Sequence, residues 1–421
     1  MDVLVFPRVF KTEATQKLYL CADFKDVPAI KIQPMEAYSI PHTALCRIDE
    51  EQRYPYLSAS KEGGAYFVEY VFPTEGRYTV KIKSGGELVY FGYVYVVGED
   101  LRSLKPFKGD THTHTSFSDG HDTPFVSASK YYAAGYDFVA VTDHHKLAHS
   151  LDAAREMRAL TDRFTVFPGE EVHNKDMGYF HIVNFGGTSS VNDIIETDDD
   201  YVARELARIK SERRFPDGVN PDTAAYRIFI SEHIRTFGGI SVLAHPFWEA
   251  YGEYNMEYSE LKYHLAEGNF DALELFAGND HTGNGDNLAL VTWCELIGSG
   301  ARASILGASD NHNSESLTSL FNKSFTLVFA QDKDGIIDAV RSGSTVAVKR
   351  RDDGDFFVFG SYRMVNYARF LLREFYPEYA RLTSLAAKEL CASQCAGAPT
   401  SCLVSAEEKL NNYCREFFGE A

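Results

Sequence analysis

From about Lys105 onward, short apolar runs alternate with amphipathic stretches, and this alternation limits the folds open to the chain more than any other feature. The strand-like runs are residues 136–142, 164–169, 180–185, 240–245, 272–276, 303–308 and 324–329, and a short one is expected before His112. Between them lie helix-like stretches at 123–134, 151–160, 288–297 and 333–342. Strands joined through helices predict a parallel sheet covered by helices, and seven or eight such units suggest a barrel. Parallel strands buried on both faces read as nearly unbroken apolar runs, as most of these do. The stretch 187–239 is too long for one connection. It carries an acidic run at 198–200 and then a basic helix with Arg204, Arg208, Lys210, Arg213 and Arg214, and it reads as an insertion over one face of the barrel.

The two ends of the chain have a different texture. Residues 1–103 read as all-β: Tyr66, Val68, Tyr70 and Phe72 alternate with other residues, Tyr78, Val80 and Ile82 repeat the pattern, and Gly85-Gly86 is a two-residue hairpin signal. Short strands at this spacing predict a small β-sandwich, either a binding module or a structural appendage. Residues 355–421 read as a C-terminal helical extension in which Ser405 and Glu408 open a last helix. The expected organisation is therefore a sandwich-like domain at 1–103, an α/β barrel at 105–354 and helices at 355–421. Cys391, Cys395, Cys402 and Cys414 lack CxxC spacing and a nearby His, so reduced thiols are the plainer reading over a zinc or iron–sulfur site.

Charge and hydropathy narrow the function. With 42 basic and 60 acidic residues the net charge is −18, which argues against a protein that wraps long nucleic acid by neutralising phosphates. No apolar run reaches the roughly 18 residues of a membrane helix, and the N-terminal sequence lacks the pattern of an export signal. A cytoplasmic location is the expectation; nothing in the sequence sets the oligomeric state.

Histidine placement points to chemistry. Thirteen of the 14 His lie between His112 and His312. His112 and His114 end the first barrel strand and alternate onto one side; Asp119 follows. Asp143, His144 and His145 end the second strand, Glu170 and Glu171 the third, His245 the fifth, and Asp310 with His312 the seventh, while His181 lies at the fourth. In a βα barrel the C-terminal strand ends share one mouth. Any one of these His reads first as a hydrogen-bonded core residue. Delivered together from six segments, they suit divalent zinc, manganese or iron, because so many unpaired ligand-type groups would otherwise repel and lose solvation.

In this order, His-Thr-His at 112–114 with Asp119, Thr-Asp-His at 142–144, Pro-Gly-Glu-Glu at 168–171, His181, Ala-His-Pro at 244–246 and Ser-Asp-Asn-His at 309–312 resemble the PHP (polymerase and histidinol phosphatase) domain. The resemblance covers about 105–350. It implies a distorted (β/α)7 barrel, two or three divalent ions, and phosphoester hydrolysis. By this resemblance His112, His114 and Asp310 would hold one ion, bridged by Glu171 to a second held by His181 and His245, while Asp119, His144 and His312 would hold the third. Glu171 rather than Glu170 follows the family's Pro-Gly-x-Glu pattern.

Divalent ions lower the pKa of bound water toward 7 and can span the attacking and leaving oxygens of an in-line displacement, so a hydroxide bridged between ions is the expected nucleophile. Asp143 would orient a metal-bound His or cap the following helix. Glu274 would be a base or a supporting hydrogen-bond partner, and His145 and His173 would line the pocket. Lys146, Arg208, Arg213, Arg214 and Arg235 are the cations that could grip phosphate. The expected substrate is a small phosphorylated molecule or a nucleotide end. A hydrolase of a non-phosphate ester, amide or carbamate, and a non-catalytic metal-stabilised scaffold, are the competing readings.

Overall fold

A computed structural model of the chain describes residues 3–35, 54–173, 180–250, 252–278, 284–298, 300–315 and 320–419. They divide into two compact units, one of residues 1–104, 362–379 and 405–421, the other of residues 105–361 and 380–404. The segment 355–421 is thus shared between the two units.

The first unit is built on two sheets. One has the order Leu4–Phe6, Thr15–Cys21, Ala65–Val71, Ser60–Glu62, all antiparallel. The other has the order Val9–Lys11, Glu87–Val97, Gly76–Ser84, Ala29–Pro34, Leu57–Ser58, with only the Val9–Lys11 pairing parallel. Period-two alternation sends Tyr78, Val80 and Ile82 inward, where they meet Leu18, Leu20, Ile30, Val68 and Phe72 in one core. Gly85 and Gly86 sit at φ +60° and +81°, the pair of positive values a tight hairpin turn demands, and Ser84 faces Glu87 across it. Helix Tyr362–Glu374 packs Tyr367 and Phe370 on Tyr95, at 4.8 and 5.5 Å between ring centres.

The second unit contains every strand read from the sequence after Lys105, but not as one closed barrel. The strands form two sheets. The first runs in the order Thr165–Phe167, Phe138–Ala140, Lys105–Asp110, Ser324–Ala330, Thr345–Arg350, Phe356–Phe359, and only its first three strands are parallel. The second has the order Gly169–Val172, Ile182–Phe185, Ile240–Leu243, Ala272–Ala277, Ser304–Ala308, antiparallel over its first two pairings and parallel over the rest. The expected distorted (β/α)7 barrel is therefore seen only in part: the strands form two mixed sheets and not one full barrel. Pro168 separates Thr165–Phe167 from Gly169–Val172, because proline cannot donate to a ladder. Single bridges, Thr113 to Asn311 and His144 to Glu171, join residues just beyond the strand ends. Those ends are where the His and carboxylate residues lie.

Residues 187–239 supply helices Val191–Thr197, Asp199–Glu212 and Pro221–Thr236. Their buried Val191, Ile195, Val202, Ile209 and Phe229 join one core with Ile182, Leu243, Leu273 and Leu275. Inside it, Arg227 pairs with Glu260 and lies 4.1 Å over the Phe180 ring, so a buried charge is both paired and packed. Cys391, Cys395, Cys402 and Cys414 form no disulfide among the described residues. Among the described residues no helix is long and apolar enough to cross a membrane.

Candidate metal centre

Glu171 is the hub. It is buried at the end of Gly169–Val172, and its two carboxylate oxygens face different imidazoles. Oε1 lies 2.5 Å from His181 Nδ1 and 3.4 Å from His245 Nε2. Oε2 lies 3.3 Å from His112 Nε2, 3.4 Å from His114 Nε2 and 2.9 Å from His144 Nδ1. Asp310 completes the inner group, with Oδ1 at 2.9 Å from His114 Nε2 and 3.4 Å from His112 Nε2. A further group forms at the rim, where Asp119 Oδ2 lies 3.4 Å from His144 Nε2 and 3.3 Å from His312 Nε2. The ligand-type atoms thus fall into overlapping groups, among them His112–His114–Glu171–Asp310, Glu171–His181–His245 and His114–Asp119–His144–His312.

Glu170, the alternative, points the other way, since neighbours on a strand face opposite sides. Its carboxylate accepts from Ser190 Oγ at 2.6 Å, from the Val191 N–H at 2.6 Å and from Asn192 Nδ2 at 3.2 Å. It is a structural carboxyl, its pKa raised by burial, fixed at the start of helix Val191–Thr197.

The electrostatics follow from burial and crowding. Burial opposes charge on Glu171, but His181 and His112 outweigh it and hold its pKa well below the carboxylate range. Asp119 and Asp310 are likewise lowered against the pull of burial, by His144 and His312 in one case and by His112 and His114 in the other. Burial also works against charging His112, yet Glu274, Asp310 and Glu171 raise it well above an ordinary imidazole. His144 rises to about 10 against burial through Asp119 and Glu171. His245 and His312 are raised against burial by their carboxylates. Burial dominates at His114, His181 and His173, and their pKa values fall.

These residues fit divalent cations. His114 Nδ1, Glu171 Oε2 and both ring nitrogens of His245 are buried without a hydrogen bond. Buried polar atoms are otherwise nearly always satisfied, and several convergent lone pairs around one carboxylate are what a cation would satisfy. The tautomers suit that role. His112 Nδ1 is 2.8 Å from Glu274 Oε1, so an N–H there leaves the Nε2 lone pair turned toward Glu171 and Asp310. His312 Nδ1 is 2.8 Å from the Asp310 carbonyl, which leaves its Nε2 for the rim. Glu274 is buried and accepts from the His245 N–H at 2.9 Å as well. His145, His245 and Asp310 have φ of +58°, +25° and +53°, conformations that cost about 1–3 kcal/mol each and cluster at functional sites.

Other expected site residues lie elsewhere. Asp143 meets no imidazole: it accepts from the Thr115 N–H at 2.7 Å, Thr115 Oγ1 at 2.6 Å and Ser118 Oγ at 2.7 Å, fastening the loop that carries Asp119. Lys146 donates to the Phe117 carbonyl at 2.5 Å. Arg213, expected at substrate, donates to Asn269 at 2.9 Å and pairs with Glu232, and Asn269 precedes strand Ala272–Ala277. That is the N-terminal end of the strand, opposite to the metal-type groups. Arg214 is exposed on the same turn. Arg208 is taken by Glu205, Glu212 and Glu232, and Arg235 by Asp271. Arg208 and Arg213, read as cations that could grip phosphate, are instead met by carboxylates, Arg208 by Glu205 and Glu212 of its own helix and both by Glu232.

His173, read as lining the pocket, has Nε2 2.7 Å from His144 Nδ1 and its ring 4.8 Å from that of His145. One feature went unread in the sequence. Trp248 lies 5.4 and 5.6 Å from the rings of His181 and His245; its position three residues after His245 was the available signal.

No family model matches the chain, and no curated protein matches it. Among solved structures it is similar to a two-domain protein from Bacteroides vulgatus containing a predicted PHP-like metal-dependent phosphoesterase (18% identity, 58% of this chain, 65% of that one, TM-score 0.41). This chain therefore spans just under two thirds of that protein. A Bifidobacterium adolescentis protein, described provisionally as a metal-dependent phosphoesterase, matches at 18% identity over 51% of this chain and 91% of its own (TM-score 0.36). An amidohydrolase from Chromobacterium violaceum, with bound sulfate and no metal, matches at 19% over 49% and 88% (TM-score 0.31). Scores and identities this low establish neither a shared activity nor a shared substrate.

Proposed function

We propose that the chain is a metal-dependent hydrolase of phosphate esters. The observation that carries this reading is Glu171, a buried carboxylate whose two oxygens each face a separate set of imidazoles. His112, His114 and Asp310 would hold one ion, His181 and His245 a second, with Glu171 between them, and Asp119, His144 and His312 a third. When bound, zinc, manganese or iron would supply hydroxide near neutral pH and offset phosphoryl charge.

The chain's own groups do the rest. Glu274 holds His112 in one tautomer and fixes the backbone at His245. His145 has a partly exposed ring with Nδ1 at 3.6 Å from Glu196, and its partial burial and the neighbouring His173 lower its pKa, which favours the neutral ring that can accept a proton. His173 and Trp248 lie beside the second group, their rings 4.5 and 5.4 Å from that of His181.

One observation favours a less charged substrate, such as a phosphodiester or a carboxyl ester: Lys146, Arg208, Arg213 and Arg235 are all engaged by other protein groups. Assays of p-nitrophenyl phosphate, bis-p-nitrophenyl phosphate and p-nitrophenyl acetate with manganese or zinc separate these readings. Chelator-sensitive turnover of either phosphate ester is expected. Turnover of acetate alone would move the reading to carbonyl chemistry, and no turnover of any would support a scaffold.

A further inference from the structure

The metal-type groups are not equally built. Side chains of His112, His114, Glu171, His181, His245 and Asp310 are at most 10% exposed. Asp119 is 54% exposed, His312 34% and His144 21%. Water competes for exposed ligands, and attraction between ion and ligand weakens as the local dielectric rises.

The rim also depends on a loop. Asp119 belongs to the stretch 115–122, not to a strand end. This loop folds back tightly: the Gly120 N–H donates to the Thr115 carbonyl at 2.9 Å, and the His121 N–H to the His312 carbonyl at 2.8 Å. A Cβ at Gly120 would lie 2.5 Å from the His114 carbonyl, so only glycine allows the approach. From the neighbouring segment, Asp143 takes three hydrogen bonds, all from Thr115 and Ser118. Its carboxylate is fully buried and, among the described residues, accepts only these three.

We infer that the Asp119–His144–His312 position takes up its ion separately from, and more weakly than, the buried pair, and that Asp143 is the positioning residue that sets its affinity. This rests on the metal-centre reading above. Asp143 acts by holding the loop so that Asp119 meets His144 and His312; it touches none of the nine proposed ligands through its carboxylate. Removing such a supporting partner typically costs 10–100-fold in metal affinity.

The test is calorimetric titration of the chelator-stripped full chain with Mn²⁺ or Zn²⁺ alone, with elemental analysis after desalting. Wild type should show a tight class of two ions retained on desalting and a weaker class of one. Asp143→Asn and Thr115→Val should weaken only the weaker class, by roughly 10–100-fold, and Thr115→Ser, which keeps the hydroxyl, should restore it. A general structural role for Asp143 would instead weaken both classes together, and that result overturns the inference. So does a single class in wild type, or a weaker class untouched by both variants. Absence of any metal binding would sink the metal centre itself, a separate outcome.

Discussion

Glu274→Gln is a nearly isosteric change with a large expected effect. The carboxylate accepts from two donors, His112 Nδ1 at 2.8 Å and the His245 N–H at 2.9 Å. Glutamine keeps one acceptor oxygen. The backbone N–H at His245 can only donate, so the amide oxygen must serve it, and the NH₂ then faces His112 Nδ1. That arrangement needs an acceptor at Nδ1 and moves the proton to Nε2, the nitrogen 3.3 Å from Glu171 and 3.4 Å from Asp310. A protonated Nε2 has no lone pair for an ion. The opposite amide orientation orphans a buried N–H at about 1–3 kcal/mol. Either way the inner ions should bind roughly 10–100-fold more weakly, or about 1.4–2.7 kcal/mol at 1.36 kcal/mol per decade. Calorimetric titration of the stripped protein reads this directly, and metal-free thermal melts report whether the variant folds. A folded Glu274→Gln protein that binds the tight ions as wild type does would refute the tautomer argument.

Five further outcomes follow from the structure. Glu171→Ala should lose bound metal and activity together; a variant that keeps its metal stoichiometry by elemental analysis would remove Glu171 from the bridging role. Because the pKa of His112 is raised well above an ordinary imidazole and that of His144 to about 10, both carry protons at pH 7 that ions must displace. Metal uptake should therefore release protons and weaken as pH falls, seen as buffer-dependent heats. In the metal-free chain the stabilisation from His144 is complete below about 6.5 and lost as pH rises through about 10, so its melting temperature should fall over that interval. Arg213→Ala and Arg214→Ala should leave KM for any phosphate ester unchanged, and a several-fold rise would return the insertion to the substrate site. Arg227→Ala strands the buried Glu260 charge and should cost about 3–5 kcal/mol in urea unfolding; a loss under 1 kcal/mol would show that the pair contributes little.

The sequence carried the locations of the strand ends because each is an apolar run closed by ligand-type residues. It did not carry strand direction. Ile182–Phe185 looks as apolar as a parallel strand does, yet it pairs antiparallel with both Gly169–Val172 and Ile240–Leu243. Period-two geometry separates Glu170 from Glu171 but cannot say which face is the mouth; Ser190, Asn192 and the helix start at Val191 decide it. Asp143 stands beside His144 and was read as its support. Its partners Thr115 and Ser118 are 28 and 25 residues away, and nothing in local spacing announces them. Arg208 and Arg213 show the same limit, since Glu232 pairs with both and Asn269 binds Arg213 from other elements.

The strain and charge at the centre bear on why such a constellation persists. His145, His245 and Asp310 hold positive φ, and three carboxylates with several charged imidazoles share one buried region. Each unusual backbone conformation costs about 1–3 kcal/mol, and each buried polar atom left without a bond about 1–3 kcal/mol more. A packed apolar core of the same size would be more stable without them. Cations offset these costs only when bound, so binding free energy adds directly to folding stability. The melting temperature should therefore rise steeply with added Mn²⁺ or Zn²⁺, most for the buried groups where orphaned atoms lie, and far less in a Glu171→Ala chain. A melting temperature indifferent to metal would mean that the strained histidines are held for some purpose other than cations.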